Sequence, residues 1–153
     1  GRRIATRVLR RHRILELFLV RVMDLDWSEV HEEAERLEHA ASDRVVERMS
    51  EMLGHPDRDP HGDPIPLPDG DLPPPVATTV ATSPVDQVVH LVRVLDQTPR
   101  ALRQAAERGL MPGAALRVLE RGADGGSTSV AVEGGEPVVL SPEEARQLVV
   151  RLD

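Results

Sequence analysis

The chain has 153 residues, enough for one domain of ordinary size or two small ones. Hydrophobic residues make up 40% and charged residues 29%, a globular balance, and the absence of cysteine excludes disulfides, thiolate zinc sites and iron–sulfur clusters. The formal net charge of −7 is opposite in sign to that of a free-standing nucleic-acid binder. Phe18 and Trp27 are the only large aromatics, so the core has to be built from Leu, Val, Ala and Met. No apolar run approaches the roughly 18 residues of a membrane span, and the Arg-rich start lacks the apolar stretch of a signal peptide. The absence of cysteine fits a reducing cytoplasm. Gly1 stands already inside a helical pattern, so the chain reads as a fragment that has lost an N-terminal part.

Residues 2–23 read as one long helix, with Ile4, Val8, Leu9, Leu15, Phe18, Leu19 and Val22 on its apolar face. Six arginines fall within the first thirteen residues. They describe either a solvated face or a surface that meets phosphates or an acidic partner. Asp26-Trp27-Ser28-Glu29 is a helix start, with Ser28 or Asp26 as cap, and that helix is expected to run to about Ala41. Ser42-Asp43 begins a third, with Val45, Val46, Met49, Met52 and Leu53 as its stripe and Gly54 and Pro56 as its stop. Three helices with so few aromatics make a thin core, so the unit is expected to bury a face against a second copy.

From residue 55 to 85 prolines are too dense for a helix interior or a central strand. The stretch reads as a semi-extended linker, with His55 and His61 in solvent. Beyond it the pattern is β-rich. Val88, Val89, Leu91, Val92 and Val94 form a strand with His90 on its surface or half-buried, and Pro99–Arg108 is a short helix closed by Gly109. Further strands are expected over 113–119, 127–132, 137–140 and 148–152, with a Gly134-Gly135 hairpin turn and a Ser141-Pro142-Glu143-Glu144 capped turn between them. The fold class is α+β: three helices and then a small five-stranded barrel. The expected boundaries are 1–66 for the helical domain, 67–85 for the Pro-rich linker and 86–153 for the barrel.

The chemistry concentrates in His31-Glu32-Glu33-Ala34-Glu35-Arg36-Leu37-Glu38-His39. At about 100° per residue, His31, Glu35, Glu38 and His39 fall on one helical stripe. His12 and Glu16 repeat the i, i+4 spacing one helix earlier. Imidazole nitrogens and carboxylate oxygens without sulfur favour Mn(II) or Fe(II), selected by geometry and coordination number rather than raw affinity. A bound cation would also relieve the repulsion among Glu32, Glu33, Glu35 and Glu38. The same residues also describe an ordinary charged helix surface. No nucleophile–base pair, phosphate loop or Gly-x-Ser-x-Gly appears, and the Glu-x-x-His pairs of a di-iron bundle are missing, so no enzyme is expected.

Arg11-His12-Arg13, Glu16, the run Val30–His39, Ser42-Asp43 and Gly62-Asp63-Pro64-Ile65-Pro66 together closely resemble the DtxR/MntR family of iron- or manganese-dependent transcriptional regulators. Glu107-Arg108-Gly109-Leu110-Met111-Pro112-Gly113 resembles the SH3-like FeoA domain that many members carry. The resemblance implies a homodimeric regulator of metal homeostasis whose operator-reading winged helix-turn-helix precedes Gly1 and is missing from this chain. It also implies a helical dimerisation and metal-binding domain followed by an SH3-like barrel, and two Mn2+ or Fe2+ sites per subunit. Glu35, Glu38 and His39 match the activating site, whose remaining ligand belongs to the DNA-reading domain. His12, Glu16 and His31 match an ancillary site that a side chain of the SH3-like domain completes, with Asp96 the candidate and Gln97 the fallback. The iron-responsive branch usually has Cys where this chain has Glu35, so the oxygen ligand points to manganese, with Fe2+ open. The alternative is a stand-alone metal-binding or adaptor module that does not bind DNA.

Overall fold

A computed structural model describes residues 1–152 of the chain. It divides into two compact units, Gly1–Pro74 and Pro75–Asp153. In the first, α1 (Arg2–Arg21) is followed by α2 (Val30–Glu38) and α3 (Asp43–Met52). Helix α1 carries two apolar faces. Ile14 and Leu17, three residues apart, pack with Val46 of α3 and with Ile65, while Leu15 and Leu19, four apart, pack with Val30 and Ala34 of α2. Met49 touches both groups and joins them.

Ile65 is the reason that residues 57–65 are not linker. Its side chain is buried in the helical core, and its backbone N–H donates to Asp57 O at 2.8 Å. Asp59 N–H donates to Asp63 O at 2.9 Å, which closes the loop on itself. The expectation that His61 lies in solvent is therefore wrong: it is 3% exposed. Helix α2 begins at Val30, later than the sequence reading has it. Asp26 caps the preceding turn instead, accepting from Ser28 N at 2.8 Å. Ser42 caps α3 as expected, accepting from Val45 N.

Of the six N-terminal arginines, Arg10 is buried and Arg11 and Arg13 are half-buried against partners in the fold, whereas Arg2, Arg3 and Arg7 form a solvated face. Arg7 and Arg11 pair with Asp43, Arg10 with Glu47 and the Pro66 carbonyl, and Arg13 with the Pro64 carbonyl. Arg11 also donates to the Glu38 and Ala41 carbonyls. It thereby satisfies acceptors that the end of α2 leaves open and ties them to the start of α3.

The second unit is a five-stranded antiparallel sheet in the order β4-β3-β2-β1-β5. The strands are β1 (Val88–Val94), β2 (Ala115–Arg121), β3 (Thr128–Val132), β4 (Val138–Leu140) and β5 (Leu148–Leu152), with α4 (Pro99–Glu107) and α5 (Pro142–Arg146) in the connections. The core is aliphatic: Val89, Leu91, Leu116, Val118, Val130, Leu140 and Val150 are buried. A bulge in β1 between Leu91 and Arg93 shifts its register against β5. Each helix starts on a side-chain cap followed by proline: Thr98 with Pro99, and Ser141 with Pro142 in a full capping box with Glu144. Gly109 ends α4 at φ +73°, and a Cβ there would meet Val132 Cγ1 at 3.3 Å. Gly109→Ala is therefore expected to lower unfolding stability by about 1–2 kcal/mol, measured by urea denaturation.

Candidate metal centre

Packing of α1 against α2 and against the 57–65 loop places a set of hydrophilic side chains between the two apolar faces. Glu16 lies in sequence between Leu15 and Leu17, which belong to different core groups, and it is only 4% exposed. His12, one turn earlier on α1, brings Nε2 to 3.0 Å from Glu16 Oε1 and 3.0 Å from His31 Nδ1 of α2. The His12 and His31 rings meet edge to face with centroids 4.7 Å apart. His31 Nδ1 is 4.0 Å from Glu16 Oε2. His12, Glu16 and His31 thus each bring one donor atom within 4.8 Å of the others. The family resemblance assigns these three residues to an ancillary site.

A second triad shares Glu16. Asp59 and His61 reach it from the loop, and donor atoms of Glu16, Asp59 and His61 also lie within 4.8 Å of one another. All three are buried. His61 Nε2 donates to the Trp27 carbonyl at 2.7 Å, which leaves Nδ1 as the ring nitrogen that faces the cluster. That nitrogen has no hydrogen-bond partner and sits 3.8 Å from Glu16 Oε2. Asp59 Oδ1 accepts from the backbone N–H of His61 and Asp63, whereas its Oδ2 has no hydrogen-bond partner. A buried imidazole nitrogen and a buried carboxylate oxygen, both unspent and both beside Glu16, are what a cation site offers before its ion arrives. The donor set, nitrogen and oxygen without sulfur, fits Mn(II) or Fe(II).

The electrostatics agree. Burial alone would lower the His12 pKa, but hydrogen bonds and charge from Glu16, and then from Glu38, outweigh it and push the imidazole up to about 9. Burial first, then the charges of Asp63 and Glu16, pushes Asp59 up to about 8 despite its two backbone donors.

Glu38 and His39 end α2. Glu38 Oε2 is 2.7 Å from His12 Nδ1, and its Oε1 is 3.4 Å from His39 Nε2. Glu35 and His39 are exposed at the end of α2, whereas the Glu38 side chain is sheltered against His12. The stripe of four read from the sequence therefore divides, with His31 turned to His12 and Glu16. In the second unit, Asp96 Oδ1 accepts from Thr98 N and Oγ1 at the start of α4, and Gln97 Nε2 donates to Val94 O.

Asp59 and His61 escape the sequence reading because proline density is taken as linker. The usable signal is Asp57-Arg58-Asp59-Pro60-His61-Gly62-Asp63 followed by Ile65. It is a run of ligand types on turn residues, anchored by one aliphatic side chain.

A helical unit with a His/carboxylate cluster in its core, joined to a small antiparallel sheet unit, defines a metal-binding module with an accessory domain. Residues 1–67 match the iron-dependent repressor metal-binding and dimerisation domain, and residues 78–152 match the FeoA domain. The iron-dependent repressor IdeR of Mycobacterium tuberculosis is 35% identical over 162 residues, covering 98% of this chain and 70% of that protein. The diphtheria toxin repressor of Corynebacterium diphtheriae is 46% identical over 66 residues, 43% of this chain and 29% of that protein. A solved manganese-dependent transcriptional repressor in complex with manganese superposes with a TM-score of 0.88 at 42% identity, covering 100% of this chain and 72% of that one. The chain belongs to the DtxR/IdeR family of metal-dependent regulators, as the sequence motifs imply, and members of that family are transcriptional repressors, not enzymes.

Proposed function

We propose that the protein is a metal-dependent transcriptional regulator of metal-ion homeostasis, responding to Mn2+ in preference to Fe2+ and acting as a homodimer in the cytoplasm. The observation that carries this reading is the Glu16-centred cluster, an unspent N/O donor set built into the core of a dimerisation-type domain. His12, Glu16 and His31 form the ancillary position, and Asp59 and His61 extend it. Glu35, Glu38 and His39 form the activating position. They stand at the end of α2, with Glu35 and His39 exposed and Glu38 turned toward His12, where a further element can complete the set. Glu35 supplies oxygen in place of thiolate and biases that position toward manganese.

Glu35, Glu38 and His39, with a ligand from the winged helix-turn-helix domain, would hold a divalent ion there, and the ion would supply the positive charge that offsets their carboxylates. The residues of α2 can favour the DNA-competent dimer only by as much as they bind the ion better in that arrangement than in others. Ile4 and Val8 of α1 and Val45 and Met52 of α3 remain exposed in the single chain. They are the apolar side chains a second copy would cover.

Two measurements test the reading. Metal analysis of the chain purified from medium containing both metals is expected to find manganese in excess over iron. Manganese-dependent binding of the full-length protein to an operator duplex is expected to vanish on Glu35→Ala or Glu38→Ala, and DNA binding that survives both would sink the assignment. Asp96→Ala belongs in the same series: a weaker Mn(II) isotherm makes Asp96 a ligand, and an unchanged one leaves the helical unit's residues as the full ancillary set.

A further inference from the structure

The imidazole of His12 has its two nitrogens in different groups. Nε2 faces Glu16 Oε1 and His31 Nδ1, both at 3.0 Å. Nδ1 meets Glu38 Oε2 at 2.7 Å across the α1–α2 interface. The contact is sheltered, with side-chain exposures of 13% for His12 and 11% for Glu38, so water competes weakly for it. Glu38 in turn offers its other oxygen toward His39. Arg11 holds the backbone of the same residue through the Glu38 carbonyl at 2.8 Å. One carboxylate on an otherwise exposed helix end is therefore fixed at both its main chain and its side chain.

We propose that His12 is a positioning residue for Glu38, and that the His12–Glu38 hydrogen bond couples the two ion positions of the helical unit. The inference rests on the metal-site reading above. An imidazole that ligates through Nε2 keeps its proton on Nδ1, and that N–H becomes a stronger donor with a fixed direction. His12 engaged on the Glu16 side thus pins Glu38 Oε2 and leaves Oε1 presented beside His39. A side chain already held in place loses less freedom when it ligates, which raises affinity at the activating position. Coupling between equilibrium affinities is reciprocal. A change at Glu38 must therefore be felt at the His12–Glu16–His31 position, although Glu38 is not among its ligands.

The test is a Mn(II) titration of the chain, following the electron paramagnetic resonance of free Mn(II), together with 15N-resolved NMR of the histidine rings. Glu38→Gln, which preserves volume, is expected to weaken Mn(II) at the His12–Glu16–His31 position by about fivefold, at the low end of typical coupling factors, and to shift the His12 Nδ1–H signal. His39→Ala removes a neighbouring activating-site ligand without touching His12, and is expected to change that affinity by less than twofold. Three results overturn the coupling: no change in Glu38→Gln, equal losses in both variants, or complete loss in Glu38→Gln, which would make Glu38 a direct ligand of that ion. Failure of the unmutated chain to bind Mn(II) through His12 and Glu16 overturns the metal-site reading itself, and the coupling with it. Circular dichroism of each variant separates these outcomes from loss of fold.

Discussion

Glu16→Gln is expected to lower the Mn(II) affinity of the helical unit by at least about a hundredfold, above the range for losing an outer hydrogen-bond partner. It should do so without unfolding the protein. Glu16 is the one residue common to both triads, and its two oxygens face different neighbours, Oε1 toward His12 and Oε2 toward His31 and His61. No other carboxylate among the described residues belongs to both triads. The stability effect should be small by comparison, because Gln keeps the buried volume and its amide oxygen can still accept from His12. Removing the charge relieves one of the causes that raise the Asp59 pKa and withdraws the largest support for the raised His12 pKa, two effects of opposite sign on the ion-free fold. The ion-free protein is thus expected to hold a stability-neutral change at the position where function depends most on the native residue. Isothermal calorimetry with Mn(II) and thermal melts of the ion-free variant check both halves. Wild-type affinity in Glu16→Gln would remove the centre from the model of function, whatever the melts show.

The second large effect is on pH. His12 is held at about 9 against its ordinary 6.5, and Asp59 at about 8 against 3.8. In both cases the folded state binds the proton more tightly than the unfolded chain does, so each group makes stability fall as pH rises. The Asp59 contribution is lost between about pH 4 and 8, that of His12 between about 6.5 and 9. The ion-free protein is therefore expected to melt at progressively lower temperature from pH 5 to pH 9. Manganese affinity should move the opposite way, because ligation needs Asp59 ionised and His12 with a free lone pair. Near pH 7, calorimetry in buffers of different ionisation enthalpy is expected to report between one and two protons released per ion bound at the Glu16 centre. A melting temperature of the ion-free protein that rises across this range would contradict the arrangement around His12 and Asp59.

The order of elements and most of the ligand types are legible in the sequence because they are local. Residues 12 and 16, or 38 and 39, are placed relative to each other by one stretch of helix, and Ser42 and Ser141 announce helix starts by their own chemistry. What escapes is set by contacts distant along the chain. Arg10 and Arg13 meet the carbonyls of Pro66 and Pro64 more than fifty residues away, so arginine spacing alone leaves a choice between solvent and phosphate. His61 is buried because Ile65 docks on Ile14, Leu17 and Val46, and no property of the Pro-rich run itself reports that docking. The start of α2 is misread for a nearer reason: Asp26 spends its capping oxygen on the turn before the helix.

Trp27 is the only tryptophan of the chain. Its indole is buried 5.5 Å from the His61 ring, and its own carbonyl fixes that ring. The protein therefore carries an intrinsic optical probe beside the Glu16 centre, with no second indole to dilute the signal. A paramagnetic ion seated against His61 would quench nearly all of the tryptophan emission, whereas occupancy confined to the end of α2 would leave more of it. Steady-state fluorescence of the unlabelled protein can thus follow the order in which the two positions fill.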